Sequence, residues 1–84
     1  MTAEQLNALK TALADRFSGE VESEPVNGQG RYRLAVTSSH FDSMPHLQRQ
    51  DELWAVVDQV LPREASLDIS LILAYSKKDL AAAG

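Results

Sequence analysis

EVESEPVNGQGRYRLAVTSSHF, Glu20–Phe41, is the stretch on which the fold turns. Val21, Ser23 and Pro25 alternate with glutamates, which predicts a weak strand over Glu20–Val26 whose proline suits a sheet edge and whose outward side is acidic. Arg31–Ser38 alternates more cleanly, with Tyr32, Leu34 and Val36 inward against Arg31, Arg33 and Ala35. Between them Asn27, Gly28, Gln29 and Gly30 supply a turn, because glycine and asparagine adopt positive φ at little cost. The two strands therefore read as an antiparallel hairpin.

Outward from the hairpin, helical periodicity takes over. Thr2 and Gln5 fit a capping box, and Leu6, Leu9, Leu13 and Phe17 follow at spacings of three and four, predicting a first helix that stops near Gly19. On the other side, Asp42 or Ser43 is the expected cap of a second helix with Pro45 in its first turn. Leu47, Leu53, Trp54, Val57, Val60 and Leu61 form its expected apolar side, and Pro62 ends it. Ser66–Tyr75 then reads as a third strand, with Leu67, Ile69, Leu71, Leu73 and Tyr75 on one side and Ile72 and Ala74 on the other, and it is expected to be the best buried. A short helix from Ser76, with Asp79 three residues on, closes an αββαβα order.

A helix between the second and third strands makes them parallel if they are neighbours, since a right-handed crossover returns the chain in the same direction. The fold class expected is α+β, a mixed three-stranded sheet with helices on one face, like a type II KH domain, with residues 1–84 as one domain.

Composition narrows the chemistry. The 84 residues bury only a thin core, which argues against a deep enclosed site. No cysteine is present, so this chain brings no thiolate ligand or nucleophile, and metal chemistry would rest on His40, His46 and carboxylates. A formal net charge of −4 opposes general phosphate binding. Neither a signal peptide nor an apolar run of the ~20 residues a membrane helix needs is seen, so the expected location is cytoplasmic, away from membranes. The carboxylates Asp51 with Glu52, and Asp15 with Glu20, stand beside no nucleophile, phosphate loop or metal triad; they read as helix-face and cap charges, and no catalytic residue is assigned.

Two segments, RYRLAVTSSHF and LQRQDELWAVV, resemble the BolA family. The first is similar to that family's second strand, which ends in a serine three positions before a phenylalanine, here Ser38 and Phe41. Family members carry an Arg-His pair eight and nine residues after that phenylalanine, and here Arg49 and Gln50 occupy those places without a gap. Ser43 replaces the family's usual loop glycine, and Asp68, in LDISL, falls where a second familiar histidine opens the third strand.

The resemblance implies the KH-like fold, association with monothiol glutaredoxins around a shared [2Fe-2S] cluster to which BolA supplies a histidine, and links to stress response, cell morphology and transcription regulation. Imidazole is a good iron donor, whereas the Gln50 amide is a poor one and a lone Asp68 carboxylate reads as surface charge. The expected function is thus a non-enzymatic adaptor acting through protein contacts at Arg49, Gln50, His46 and Asp68, without a cofactor of its own, its cluster-ligating role weakened or lost. His46, one turn before Gln50, is the one candidate for a displaced ligand. The alternative is a KH-like nucleic-acid-binding regulator using Arg31, Arg33 and Arg49. That alternative lacks the glycine loop with which KH domains approach phosphates, since no glycine occurs between Arg31 and Ala83. Phe41 and Trp54 are expected in the core rather than as base-stacking platforms.

Overall fold

A computed structural model describes residues 1–26 and 30–83. Its elements are α1 (Ala3–Phe17), β1 (Glu20–Val26), β2 (Arg31–Thr37), a 3-10 turn (Ser39–Phe41), α2 (His46–Val60), α3 (Arg63–Ser66), β3 (Ile69–Tyr75) and α4 (Lys77–Ala83). The sheet order is β1-β2-β3, with β1 antiparallel and β3 parallel to the central β2. This is the α+β, αββαβα arrangement that the periodicity predicts. Among the described residues no helix is long and apolar enough to cross a membrane.

Local chemistry explains the element ends. The Thr2 hydroxyl accepts from the Gln5 amide at 3.1 Å while the Gln5 side chain accepts from the Thr2 N–H at 2.9 Å, so the capping box closes in both directions. At the other end of α1, Ser18 rather than Gly19 takes the left-handed conformation, at φ 51°. Gly19 is needed for a different reason: a Cβ there would lie 2.2 Å from the Thr37 carbonyl oxygen and 2.8 Å from the Ser38 Cβ. The helix therefore stops where expected, but close passage beside the end of β2 is what requires the glycine. The expected turn residues Asn27, Gly28 and Gln29 lie outside the described residues; Gly30, at φ 73°, has the positive angle expected of it.

The second helix departs from its sequence reading at its start. Pro45 occupies the N-cap position without any side-chain cap, and the Asp42 carboxylate instead accepts from the Lys78 N–H at 3.3 Å, at the start of α4. Leu47 is 82% exposed and contributes nothing to the apolar side, which consists of Leu53, Val56 and Val57 with Trp54 and Val60 at its margin. A short helix absent from the sequence reading, α3, forms at Arg63–Ser66 with Pro62 as its cap and takes in Ser66, the expected first residue of the third strand, which instead begins at Ile69.

The largest correction concerns β3. It is an edge strand, and β2 is the central one. Its register against β2 slips at Ser70: Tyr32 pairs with Ile69, but Arg33 pairs with Leu71. One extra residue in a strand reverses the side to which every later side chain points. Ile69, Ile72 and Ala74 consequently face the helices, and Leu71, Leu73 and Tyr75 lie on the outer side of the sheet. Simple alternation through Ser70 had assigned these three residues and Ile69 to the same side.

The core lies between the sheet and α1 with α2. Leu9, Leu13, Phe17, Leu34, Val36, Phe41, Leu53, Val57 and Ile72 are almost wholly removed from water. Phe17 and Phe41 meet with ring centroids 4.9 Å apart.

The junction of α1 and β1 generates a test with opposite signs at adjacent residues. Ser18→Gly relieves a left-handed non-glycine residue and is expected to stabilise the chain by about 0.5–1 kcal/mol. Gly19→Ala forces a methyl group into the β2 backbone and is expected to cost about 2 kcal/mol or more. Urea unfolding of the two variants against the parent chain measures both.

Candidate functional site: the Arg49 node and its surroundings

Arg49 sits in the first turns of α2, but its side chain points inward and is only 5% exposed. The guanidinium is spent on backbone. Nε donates to the Met44 carbonyl at 2.8 Å, Nη2 to the Phe41 carbonyl at 2.8 Å, and Nη1 to the Asp79 carboxylate at 3.0 Å with a longer contact of 3.5 Å to the Ala74 carbonyl. It thereby joins the loop before α2, the end of β3 and the start of α4. A planar cation with five N–H groups in a fixed fork is the one side chain able to bond several divergent carbonyls together. It also supplies order at a helix start whose proline cap lacks a side-chain acceptor.

Asp79 is half exposed, and the Arg49 hydrogen bond, followed by that from the Ser76 hydroxyl, holds its carboxyl below the ordinary carboxylate range. The Ser76 hydroxyl also accepts from the Asp79 N–H at 2.8 Å, capping α4.

A second clasp forms at Ser38, which is fully buried. Its hydroxyl donates to the Phe17 carbonyl and accepts from the His40 N–H, while its own N–H donates to the Tyr75 carbonyl at 3.0 Å. The end of α1, the end of β3 and the 3-10 turn are fastened by this one residue. Ser38, Phe41 and Arg49, picked out in the sequence by motif spacing, are thus consecutive members of one bonded region.

The residues expected at a contact surface do not assemble there. Arg49 is inside, a correction that follows from the four hydrogen bonds just described. Gln50 is half-buried, and its amide donates to the Ile72 carbonyl of β3 at 3.0 Å, linking α2 to the sheet. Asp68 precedes β3 and accepts from the amino group of Met1. His46 is an exposed first residue of α2. His40 rests against Phe17 and Phe41, its ring centroid 5.6 Å and 6.2 Å from theirs, with Nε2 4.0 Å from Glu52.

These positions do not fit an iron–sulfur cluster. Gln50 offers an amide already bonded to backbone, and Asp68 stands four residues before Ile72, roughly 13 Å of strand rise from the Gln50 contact. Among the described residues no three His, Cys, Asp or Glu side chains gather as a metal site. Nor do Arg31, Arg33 and Arg49 make a cationic patch. Arg33 is paired to Glu24 at 2.9 Å on the outer side of the sheet, and Arg49 lies within.

One surface feature escapes the sequence reading altogether. Leu71 and Tyr75 are 44% and 38% exposed on the outer side of the sheet, where periodicity had placed core. Only knowledge of the bulge at Ser70 could have located them, and nothing in the residue types around it announces a bulge.

No protein-family model matches the chain, and no curated protein sequence matches it significantly.

Removing the Arg49 side chain takes the side-chain donor from the Met44 carbonyl and leaves the Phe41 carbonyl with the Met44 N–H alone, at 3.1 Å. Arg49→Ala is expected to destabilise the chain by about 2–4 kcal/mol, and Arg49→Lys to recover only part of the loss because one ammonium cannot span the same acceptors. Asp79→Asn tests the pH dependence. Since the folded state holds the Asp79 carboxyl low, the ion pair contributes stability above the unfolded carboxyl's titration, near pH 4, and loses it as pH falls further toward the folded value. The stability gap between parent and Asp79→Asn should therefore be widest near neutrality and close in acid, as followed by thermal melts across pH.

Proposed function

We propose that the chain is a BolA-like, non-enzymatic adaptor of the cytoplasm that acts by protein contact and has lost its relatives' ability to furnish an iron ligand. One observation carries this reading. Ser38, Phe41 and Arg49, the three residues on which the resemblance rests, are the ones that hold the 3-10 turn and the start of α2 in place. A motif kept for its structural role, beside the replacement of both histidines by Gln50 and Asp68, is what a retained scaffold with an altered site would look like.

The partner expected from the resemblance is a monothiol glutaredoxin. Its own cysteine and glutathione would supply thiolates, leaving a mixed cluster in need of a donor that Gln50, bonded to Ile72, is not placed to give. Transcription regulation and stress response would then follow from protein association rather than direct DNA contact. The dispersal of Arg31, Arg33 and Arg49 weighs against the nucleic-acid alternative.

Mixing the chain with a cluster-loaded monothiol glutaredoxin is the test. Association without a histidine-ligated cluster spectrum is the expected outcome. Asp68→His, at a side chain 32% exposed, should introduce such a spectrum, while Gln50→His, directed at the β3 backbone, should not. A stable mixed cluster in the unmodified protein, lost on His46→Ala, would overturn the reading. Duplex DNA binding that falls steeply with salt and weakens on Arg31→Ala or Arg33→Ala would support the nucleic-acid alternative instead.

A further inference from the structure

The outer side of the sheet is divided lengthwise by chemistry. β1 contributes Glu20, Glu22 and Glu24; β2 contributes Arg33, Ala35 and Thr37 opposite them; β3 contributes Leu71, Leu73 and Tyr75. Glu24 is paired with Arg33, but among the described residues neither Glu20 nor Glu22 has a cationic partner. The row between them is low at its middle, where Ala35 stands between Glu22 and Leu73, and is closed at one end by Arg33, whose charge is taken up by Glu24. An acidic wall and an apolar wall therefore border a shallow trough, lined by Glu22, Ala35, Leu73 and Tyr75 among others.

Building on the adaptor reading, we infer that this trough is a docking site for an amphipathic helix of a partner protein, with lysines or arginines along one side of an apolar stripe. Geometry, covering and charge each support that occupant. The backbones of the two walls are two strand spacings apart, about 9.6 Å, so a helix about 10–12 Å across with its side chains, laid over the trough along the strands, reaches both walls. The outer row of β3 is apolar, with Leu71 44% and Tyr75 38% exposed, and such surface gains by being covered. The unpaired Glu20 and Glu22 lie on the opposite wall, where cations of the helix would meet them.

A second copy of the chain is a poor occupant by the same arrangement. Two sheets stacked face to face about a two-fold axis along the strands would set the glutamates of one copy on the leucines of the other. An axis across the strands would set glutamate on glutamate. The first buries carboxylates on apolar surface and the second opposes like charges.

The probe is a synthetic helix of about 15 residues, long enough at 1.5 Å per residue to run along a seven-residue strand, with leucines at helical spacing and lysines elsewhere. Added to isotopically labelled protein, it should shift amide resonances of β1, β2 and β3 and leave those of α1 and α2 in place. Glu20→Lys with Glu22→Lys should weaken binding about tenfold, as should Leu71→Gln with Tyr75→Ser. Glu4→Lys with Glu64→Lys, which changes net charge equally at exposed sites on α1 and α3, should have little effect.

Shifts centred on α1 and α2, equal weakening by both pairs of charge reversals, or sedimentation of the free chain as a dimer whose contact is broken by the Leu71 and Tyr75 substitutions would overturn the inference. Association with glutaredoxin is scored separately. If it persists while the helix fails to bind, the docking site is refuted and the adaptor reading stands; helix binding without glutaredoxin association refutes that choice of partner and leaves the docking site intact.

Discussion

The guanidinium of Arg49 is the point at which three otherwise independent pieces of chain become one structure. The loop entering α2, the end of β3 and the start of α4 all present acceptors to it. Burying a cation is costly unless its donors find partners, and here the partners are mostly backbone carbonyls of the segments it joins. The cost of desolvating the charge and the need of the loop are met by the same bonds. The exposed Asp79 carboxylate completes the arrangement at the rim, where solvent screens the ion pair and limits its worth.

Ser38 plays the corresponding part on the other side of the 3-10 turn. With Gly19 pressed against its Cβ position and the Phe17 carbonyl bonded to its hydroxyl, the end of α1 cannot shift without disturbing β2. Phe41 packs on Phe17 between these two clasps and its carbonyl is one of the Arg49 acceptors. Polar anchoring and aromatic packing thus converge within a few residues, where a thin core alone would leave long connections loosely held. Side chains engaged in holding the scaffold are not available to a ligand or partner, so any such contact must use other surfaces.

The sheet supplies such a surface because only one of its sides is packed. A single extra residue at Ser70 moves a leucine-rich row from the core to the outside, one strand removed from the glutamates of β1. An apolar row on one edge strand and an acidic row on the other, separated by β2, distinguish the outer side from an ordinary solvated sheet face.

The sequence alone determined the order and type of the longer elements, since hydrophobic period, capping residues and turn residues act over a few neighbours at a time, but not the 3-10 turn or α3. Thr2 with Gln5, the alternation in β2, and Asp79 after Ser76 were legible for that reason, and the helix between β2 and β3 carried the parallel pairing with it. Side-chain direction at longer range was not legible. Arg49 reads as a surface arginine on a helix until the loop and β3 surround it, because burial of a charge depends on carbonyls brought from up to 25 positions away. Leu47 reads as part of the apolar side of α2, and Leu71 as sharing a side with Ile69, until the start of α2 and the bulge at Ser70 are placed. Local periodicity cannot register one residue inserted in a strand, whereas tertiary pairing reverses every side chain beyond it.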